Sequence, residues 1–112
     1  MNIPHEVRWR LRDGTRIVGY ERHIDGRVWS SPDGLWWRGQ PLLYSEKDRG
    51  MPVKDINNQW LYEHDVVTWE AHSGSWMLCW VGQQWVLQQH DWVLPAPTND
   101  RALRRVAFAF VQ

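Results

Sequence analysis

"KDINNQWLYEHDVVTWE", residues 54–70, joins a polar turn to an aromatic-rich segment and then to a strand. Asp55, Asn57 and Asn58 are turn formers, and Asn tolerates the left-handed backbone of tight turns. Val66, Val67 and Trp69 favour an extended, half-buried chain. Between them stand Tyr62, Glu63, His64 and Asp65, for which two readings compete. In one, the stretch is the hydrogen-bonded corner of a small β-barrel, with Asp55, Asn57, Tyr62, Glu63 and Asp65 as its structural residues. Asp65 then accepts backbone N–H groups at the turn and needs no further task. In the other, His64 is a general base oriented by Glu63 or Asp65, and the protein is an enzyme. Neighbours on an extended chain point to opposite faces, so Glu63 and Asp65 share one face and His64 takes the other. That geometry works against a triad. The corner is the preferred reading, and no catalytic residue is expected.

Working outward, the chain reads as strands separated by turns. Downstream come "DVVTWEA" (65–71), a turn at Ser73-Gly74, "SWMLCWV" (75–81), a turn near Gly82-Gln83, "QWVLQQ" (84–89) and "DWVL" (91–94). Pro95 and Pro97 stop this run. Thr98 reads as an N-cap, with Asp100 and Arg101 in one short helical turn through about Arg104. "RVAFAFV" (105–111) is the closing strand. Upstream, "VRWRLR" (7–12), "TRIVGYERHI" (15–24) and "RVWSS" are joined by Asp13-Gly14 and Asp25-Gly26, dipeptides that favour type I′ hairpin turns. "SPDG" (31–34) is a further turn and "LWWRG" a short strand. Residues 45–59 read as a polar connection broken by Gly50, Pro52 and Asn57-Asn58. The expected fold is mainly β: a small antiparallel β unit over residues 1–44 and a second β unit over 45–112, together expected to form one compact structural unit.

Residues 53–67 resemble the signature of the YopX-like family of phage and prophage proteins. Lys54, Asp55, Asn57, Leu61, Tyr62, Glu63, Asp65, Val66 and Val67 fall on its pattern without gaps. Asn58 and His64 stand where the family prefers Gly, and Pro52 occupies another usual Gly. The resemblance implies an SH3-like barrel beginning near the signature and a phage or prophage setting. It implies no established reaction, and a fold by itself does not supply one.

Composition narrows the function. Lys+Arg and Asp+Glu are both 13, so no global field draws the chain to nucleic acid or to a membrane. All the basic residues except Lys47 and Lys54 are arginines, which suits bidentate and stacking contacts. Ten tryptophans in 112 residues are the anomaly. Large rings fill a thin core efficiently, so Trp69, Trp76, Trp80 and Trp85 are expected to be mostly buried. So many indoles cannot all be hidden, and the adjacent Trp36 and Trp37 are the best exposed candidates. Cys79 has no disulfide partner, and the five histidines lack metal-ligand spacing, so no metal and no cofactor are expected. "MNIPHEVRWR" lacks the apolar stretch of a signal peptide, and no run reaches membrane-spanning length. A cytoplasmic location is expected.

The remaining motif is a ladder. Arg8, Arg10 and Arg12 alternate with Val7, Trp9 and Leu11, so three guanidiniums line one face of a strand while the apolar residues face the core. This face is either an ordinary solvated surface paired with Glu6, Asp13 and Glu21, or a binding surface. The candidate partner-binding set is Arg8, Arg10, Arg12, Trp36, Trp37 and Arg38. Trp and Arg dominate interface hot spots. The leading expectation is therefore a non-enzymatic accessory protein that binds another protein, a host or defence factor or a second copy of itself. The alternative is a nucleic-acid-binding module that uses the Arg/Trp face.

Overall fold

A computed structural model describes residues 5–111. The outer limits expected for the two units, residues 1 and 112, lie outside the described residues. Among these, the protein is all strand and turn. The strands are β1 (Glu6–Asp13), β2 (Arg16–Ile24), β3 (Arg27–Ser31), β4 (Glu46–Lys54), β5 (Trp60–Tyr62), β6 (Asp65–Trp69), β7 (His72–Val81), β8 (Gln84–Gln89), β9 (Trp92–Pro95) and β10 (Leu103–Phe108). The chain divides into two units between Gly50 and Met51, inside β4, whereas the expected division at 44/45 falls just before that strand.

In the first unit the strand order is β3-β2-β1-β4, every pair antiparallel. Asp25 and Gly26 both have positive φ (48° and 82°), the type I′ geometry expected of that dipeptide. The other hairpin is centred one residue later than expected. Asp13 pairs with Arg16, so Gly14 (φ 64°) and Thr15 make the turn, with positive φ at the first central position only, as in type II′. "LWWRG" is not a strand. Only Arg38 pairs, exchanging two backbone hydrogen bonds with Ser30 (2.8 and 2.9 Å).

Residues 46–54 correct the reading of 45–59 as a connection. Their polar sequence is extended because each part meets a partner. Lys47, Asp48 and Arg49 lie opposite Leu11, Arg10 and Trp9 of β1. A Cβ on Gly50 would come within 2.8 Å of the Arg8 backbone, so only glycine lets the strands run this close. Met51 and Val53 then enter the apolar core of the second unit. Tertiary contacts override a weak local signal.

The second unit holds a five-stranded antiparallel sheet in the order β10-β6-β7-β8-β9. Its pairing is open among the described residues, and no closed barrel is formed. Met51, Leu61, Val67, Leu78, Leu87 and Leu103 make its core, each at most 1 % exposed, with Trp76 beside them. Of the four tryptophans expected inside, only Trp76 is fully buried; Trp69, Trp80 and Trp85 are half-buried. Trp80 and Trp85 lie opposite each other, ring centroids 5.0 Å apart, beside the Gly82-Gln83 turn where the core face meets solvent. The expected turn at Ser73-Gly74 is a bulge in β7 instead, and the tight turn is Glu70-Ala71, since Trp69 pairs with His72.

The expected helical turn after Thr98 is absent. Arg101 has φ 64°, which a right-handed helix cannot contain. The reason is tertiary: the Lys54 N–H donates to Asp100 Oδ1 (2.8 Å) and the Arg101 N–H to the Lys54 carbonyl (2.9 Å). Those bonds take the groups a first helical turn would use, and β10 begins at Leu103.

Candidate functional site

Burial decides the fate of the arginine ladder. Arg10 is 1 % exposed, Arg12 6 % and Asp48 0 %. Asp48 lies opposite Arg10 on β4 and serves both guanidiniums. Arg10 Nε donates to its Oδ2 (2.9 Å), while Arg12 binds it through two parallel bonds, Nε to Oδ2 (2.8 Å) and Nη2 to Oδ1 (2.9 Å). Arg12 also reaches Gly14 O and, at the rim, Glu46. Arg10 and Arg12 are therefore not a partner surface, which corrects the expectation. A single carboxylate placed across the sheet draws them inward, and a buried bidentate pair leaves no open donor fork on the solvent side.

The outer end of the ladder is an ordinary paired face. Arg22 donates to both oxygens of Glu6 (2.7 and 3.1 Å), and Arg8 sits 3.0 Å from it. The Arg22 hydrogen bond, and less strongly the charges of Arg8 and Arg22, hold the Glu6 carboxyl below its usual range against partial burial. On the opposite face of β1, Trp9 is half-buried, with Lys47 Nζ 4.4 Å and Arg49 Cζ 5.6 Å from its ring. Successive residues of β4 thus feed the two faces in turn: cations to the indole, Asp48 to the arginines.

The exposed part of the candidate set lies in the connection between β3 and β4. Asp33 organises its start. Asp33 Oδ1 accepts the Ser31 hydroxyl (2.9 Å) and the N–H groups of Leu35 (2.8 Å) and Trp36 (3.2 Å); Ser31 Oγ accepts the Gly34 N–H (2.8 Å). The Leu35 amide first, then the Ser31 hydroxyl and the Trp36 amide, lower the Asp33 pKa. This turn presents Leu35 (77 % exposed) and Trp36 (74 % exposed) to solvent. Trp36 and Arg38 line one cleft of about 260 Å³ with Ser30, Pro32, Asp33 and Leu42. Trp37 turns the other way and rests on Arg22, 5.1 Å from guanidinium to ring. Of the six candidate residues the fold brings Trp36 and Arg38 together, gives Arg8 and Trp37 intramolecular partners, and buries Arg10 and Arg12. Sequence reasoning missed Leu35, Leu43 and Tyr44, exposed apolar side chains of the same connection. For Leu43 and Tyr44 the signal is "PLLYS" (41–45), an apolar run after a proline with no strand alternation.

Of the corner residues, Asp55 and Asp65 are structural acceptors, and Asn57 and Tyr62 donate backbone N–H groups to them. Asp65 is fully buried; its Oδ2 accepts the Tyr62 N–H (2.8 Å) and lies 3.6 Å from Arg105. Asp55, also fully buried, accepts the N–H groups of Asn57 and Gln59 on Oδ1 (3.0 Å each) and that of Arg105 on Oδ2 (3.1 Å). It thereby closes the turn and caps the outer edge of β10. His64 has φ 70°, donating its N–H to Leu78 O (2.8 Å) and accepting the Ala109 N–H (2.7 Å). Glu63 and His64 are half-buried beside it. Burial, and secondarily Glu63, raise the pKa of the Cys79 thiol. Among the described residues no three His, Cys, Asp or Glu side chains gather as a metal cage, and no helix is long and apolar enough to cross a membrane. Compared with family models, with curated proteins and with solved structures, the chain matches none.

Proposed function

We propose that the protein is a non-enzymatic phage or prophage accessory protein that acts by binding another protein through the β3–β4 connection. The observation that carries the binding role is Trp36, an indole 74 % exposed on a backbone already fixed by Asp33. A large exposed ring is ordinarily a liability. Held rigid beside Leu35 and an arginine-lined cleft, it makes an anchor that loses little conformational freedom on binding. The phage or prophage setting rests on the resemblance of residues 53–67 alone.

The test is capture from a bacterial lysate treated with nuclease, followed by purification of the captured partner. Trp36→Ala should weaken binding by about 2 kcal/mol or more, the scale of an interface hot spot, with modest salt dependence. Equal affinity in wild type and Trp36→Ala would remove this surface. Loss of capture after nuclease, with a steep salt slope, would favour nucleic acid. Concentration-dependent sedimentation of the pure chain that Trp36→Ala abolishes would make the partner a second copy.

A further inference from the structure

We propose that the second unit carries a binding site for a nucleotide, in a cleft between the 55–60 and 99–102 turns. Pro52, Lys54, Asn58, Trp60, Asp100 and Arg101 line it, and its volume is about 520 Å³. Sites for small organic ligands run roughly 300–1,000 Å³. The Trp36 cleft (about 260 Å³) and one lined by His72, Trp76 and Trp92 (about 250 Å³) fall below that range.

The lining selects the ligand. Lys54 and Arg101 supply two cations, the side chains that phosphate recognition uses. Lys54 Nζ stands 4.7 Å from the centre of the Trp60 ring, so a cation and a flat aromatic surface are neighbours. A base that packs on the indole takes the place of the Lys54 ammonium on the ring, and the displaced cation meets the phosphate, the pairing that single-stranded nucleic-acid sites also employ. Asp100 Oδ1 is held by the Lys54 N–H, which leaves Oδ2 for a ligand hydroxyl. The Asn58 amide adds both a donor and an acceptor. Inorganic phosphate would fill little of this space and leave Trp60 unused.

Backbone geometry points the same way. Asn58 and Arg101 both have left-handed φ, 62° and 64°. Glycine would be the relaxed choice at 101, yet an arginine is held there, its N–H bonded to the Lys54 carbonyl (2.9 Å). Strain kept at a cationic side chain that lines a cleft is the pattern of a working residue. The opposite wall is fixed as well, because Asp55 holds the amides of Asn57 and Gln59 and its carbonyl accepts the Asn58 N–H (3.0 Å). Both turns are shaped before any ligand arrives.

The experiment is a proton–nitrogen NMR titration of the full chain with the four common nucleoside monophosphates, inorganic phosphate and a short oligothymidylate. Saturable shifts are expected at the Trp60 indole N–H and the Arg101 amide with at least one mononucleotide or with the oligomer. Lys54→Gln and Arg101→Gly should each weaken binding by about tenfold or more, as loss of a charge-assisted bond to phosphate does. Arg101→Gly should at the same time raise the melting temperature, which separates lost function from lost fold. Trp60→Leu should weaken the nucleotide more than phosphate. Stronger binding of the oligomer than of any mononucleotide would identify a single strand as the source of the phosphate. The proposal is overturned if no nucleotide moves these signals at millimolar concentration. It also fails if inorganic phosphate binds as tightly as the nucleotides, or if Arg101→Gly binds like wild type.

Discussion

Asp48 and Asp65 are both fully buried, one in each unit, and they are satisfied in opposite ways. Asp48 is held by side chains, two guanidiniums reaching across the sheet from β1. Asp65 is held by the Tyr62 N–H three residues before it, with Arg105 further off. The contrast extends through the units. Among the described residues, Leu11 is the one fully buried apolar side chain of the first unit, where Arg10, Arg12, Glu21, Ser30, Ser31 and Asp48 are also buried. The second unit buries Met51, Leu61, Leu78, Leu87 and Leu103 together and keeps its buried aspartates at turns. One unit is centred on an ion cluster, the other on hydrocarbon. A carboxylate at a turn organises local chain, whereas one between arginines holds the middle of a sheet.

The largest expected effect follows from that difference. Asp48→Ala leaves two buried guanidiniums without their shared carboxylate and should cost about 3–5 kcal/mol in urea unfolding. Replacing the group as a whole, with Arg10→Met, Arg12→Met and Asp48→Leu together, should recover most of the loss, since apolar packing can substitute for a buried ion cluster. A triple variant as unstable as the single one would mean that the geometry of the cluster itself holds the sheet.

Asp65→Ala should cost less, about 1–3 kcal/mol, because it orphans the Tyr62 backbone donor and removes only a longer ion pair, to Arg105. The two substitutions measured under the same conditions test the comparison directly. Equal losses would show that the side-chain and backbone modes of satisfying a buried carboxylate are equivalent here.

The sequence made two hairpin turns legible where period-two alternation met a turn dipeptide, between β2 and β3 and between β7 and β8; the turn after β1 falls one residue later than Asp13-Gly14, and Glu70-Ala71, not Ser73-Gly74, joins β6 to β7. Asp25-Gly26 and Gly82-Gln83 both form turns with two positive φ values. It hid β4, because "EKDRGMPVK" is polar and holds two breakers, and its extension comes from partners far along the chain. The same cause removes the helical turn expected after Thr98, where Lys54 claims the local donors and acceptors. For the site, Trp36 and Arg38 were readable as exposed candidates. Arg10 and Arg12 were not readable as buried, because alternation shows that three residues share a face but not what covers it. Asp48 is the partner that holds Arg10 and Arg12, and Asp48 lies in the segment that reads as a connection.

The smallest expected effect concerns how the units make their turns. Among the described residues, left-handed positions in the first unit are Gly14, Gly26 and Gly34, with Asp25 the exception; in the second, Asn58, His64, Gln83, His90 and Arg101 stand beside Gly74 and Gly82. Left-handed backbone is disfavoured for most side chains and nearly free for glycine. The second unit therefore stores strain in non-glycine turns that the first largely avoids. His64 is the cleanest place to measure it, since its backbone N–H and C=O are bonded to Leu78 and Ala109 whatever the side chain. His64→Gly relieves the φ of 70° but gives the unfolded chain more freedom. The two effects oppose, and the net gain should be small, up to about 1 kcal/mol. It would appear as a higher urea midpoint with an unchanged slope. Asp25→Gly in the first unit is the control, and it should gain less, because aspartate accepts left-handed φ more readily than histidine and the Asp25 carboxylate accepts the His5 N–H (3.2 Å). A loss of stability in His64→Gly would show that the half-buried imidazole contributes more than its backbone strain removes, and the difference between the units' turns would then lie in side-chain packing.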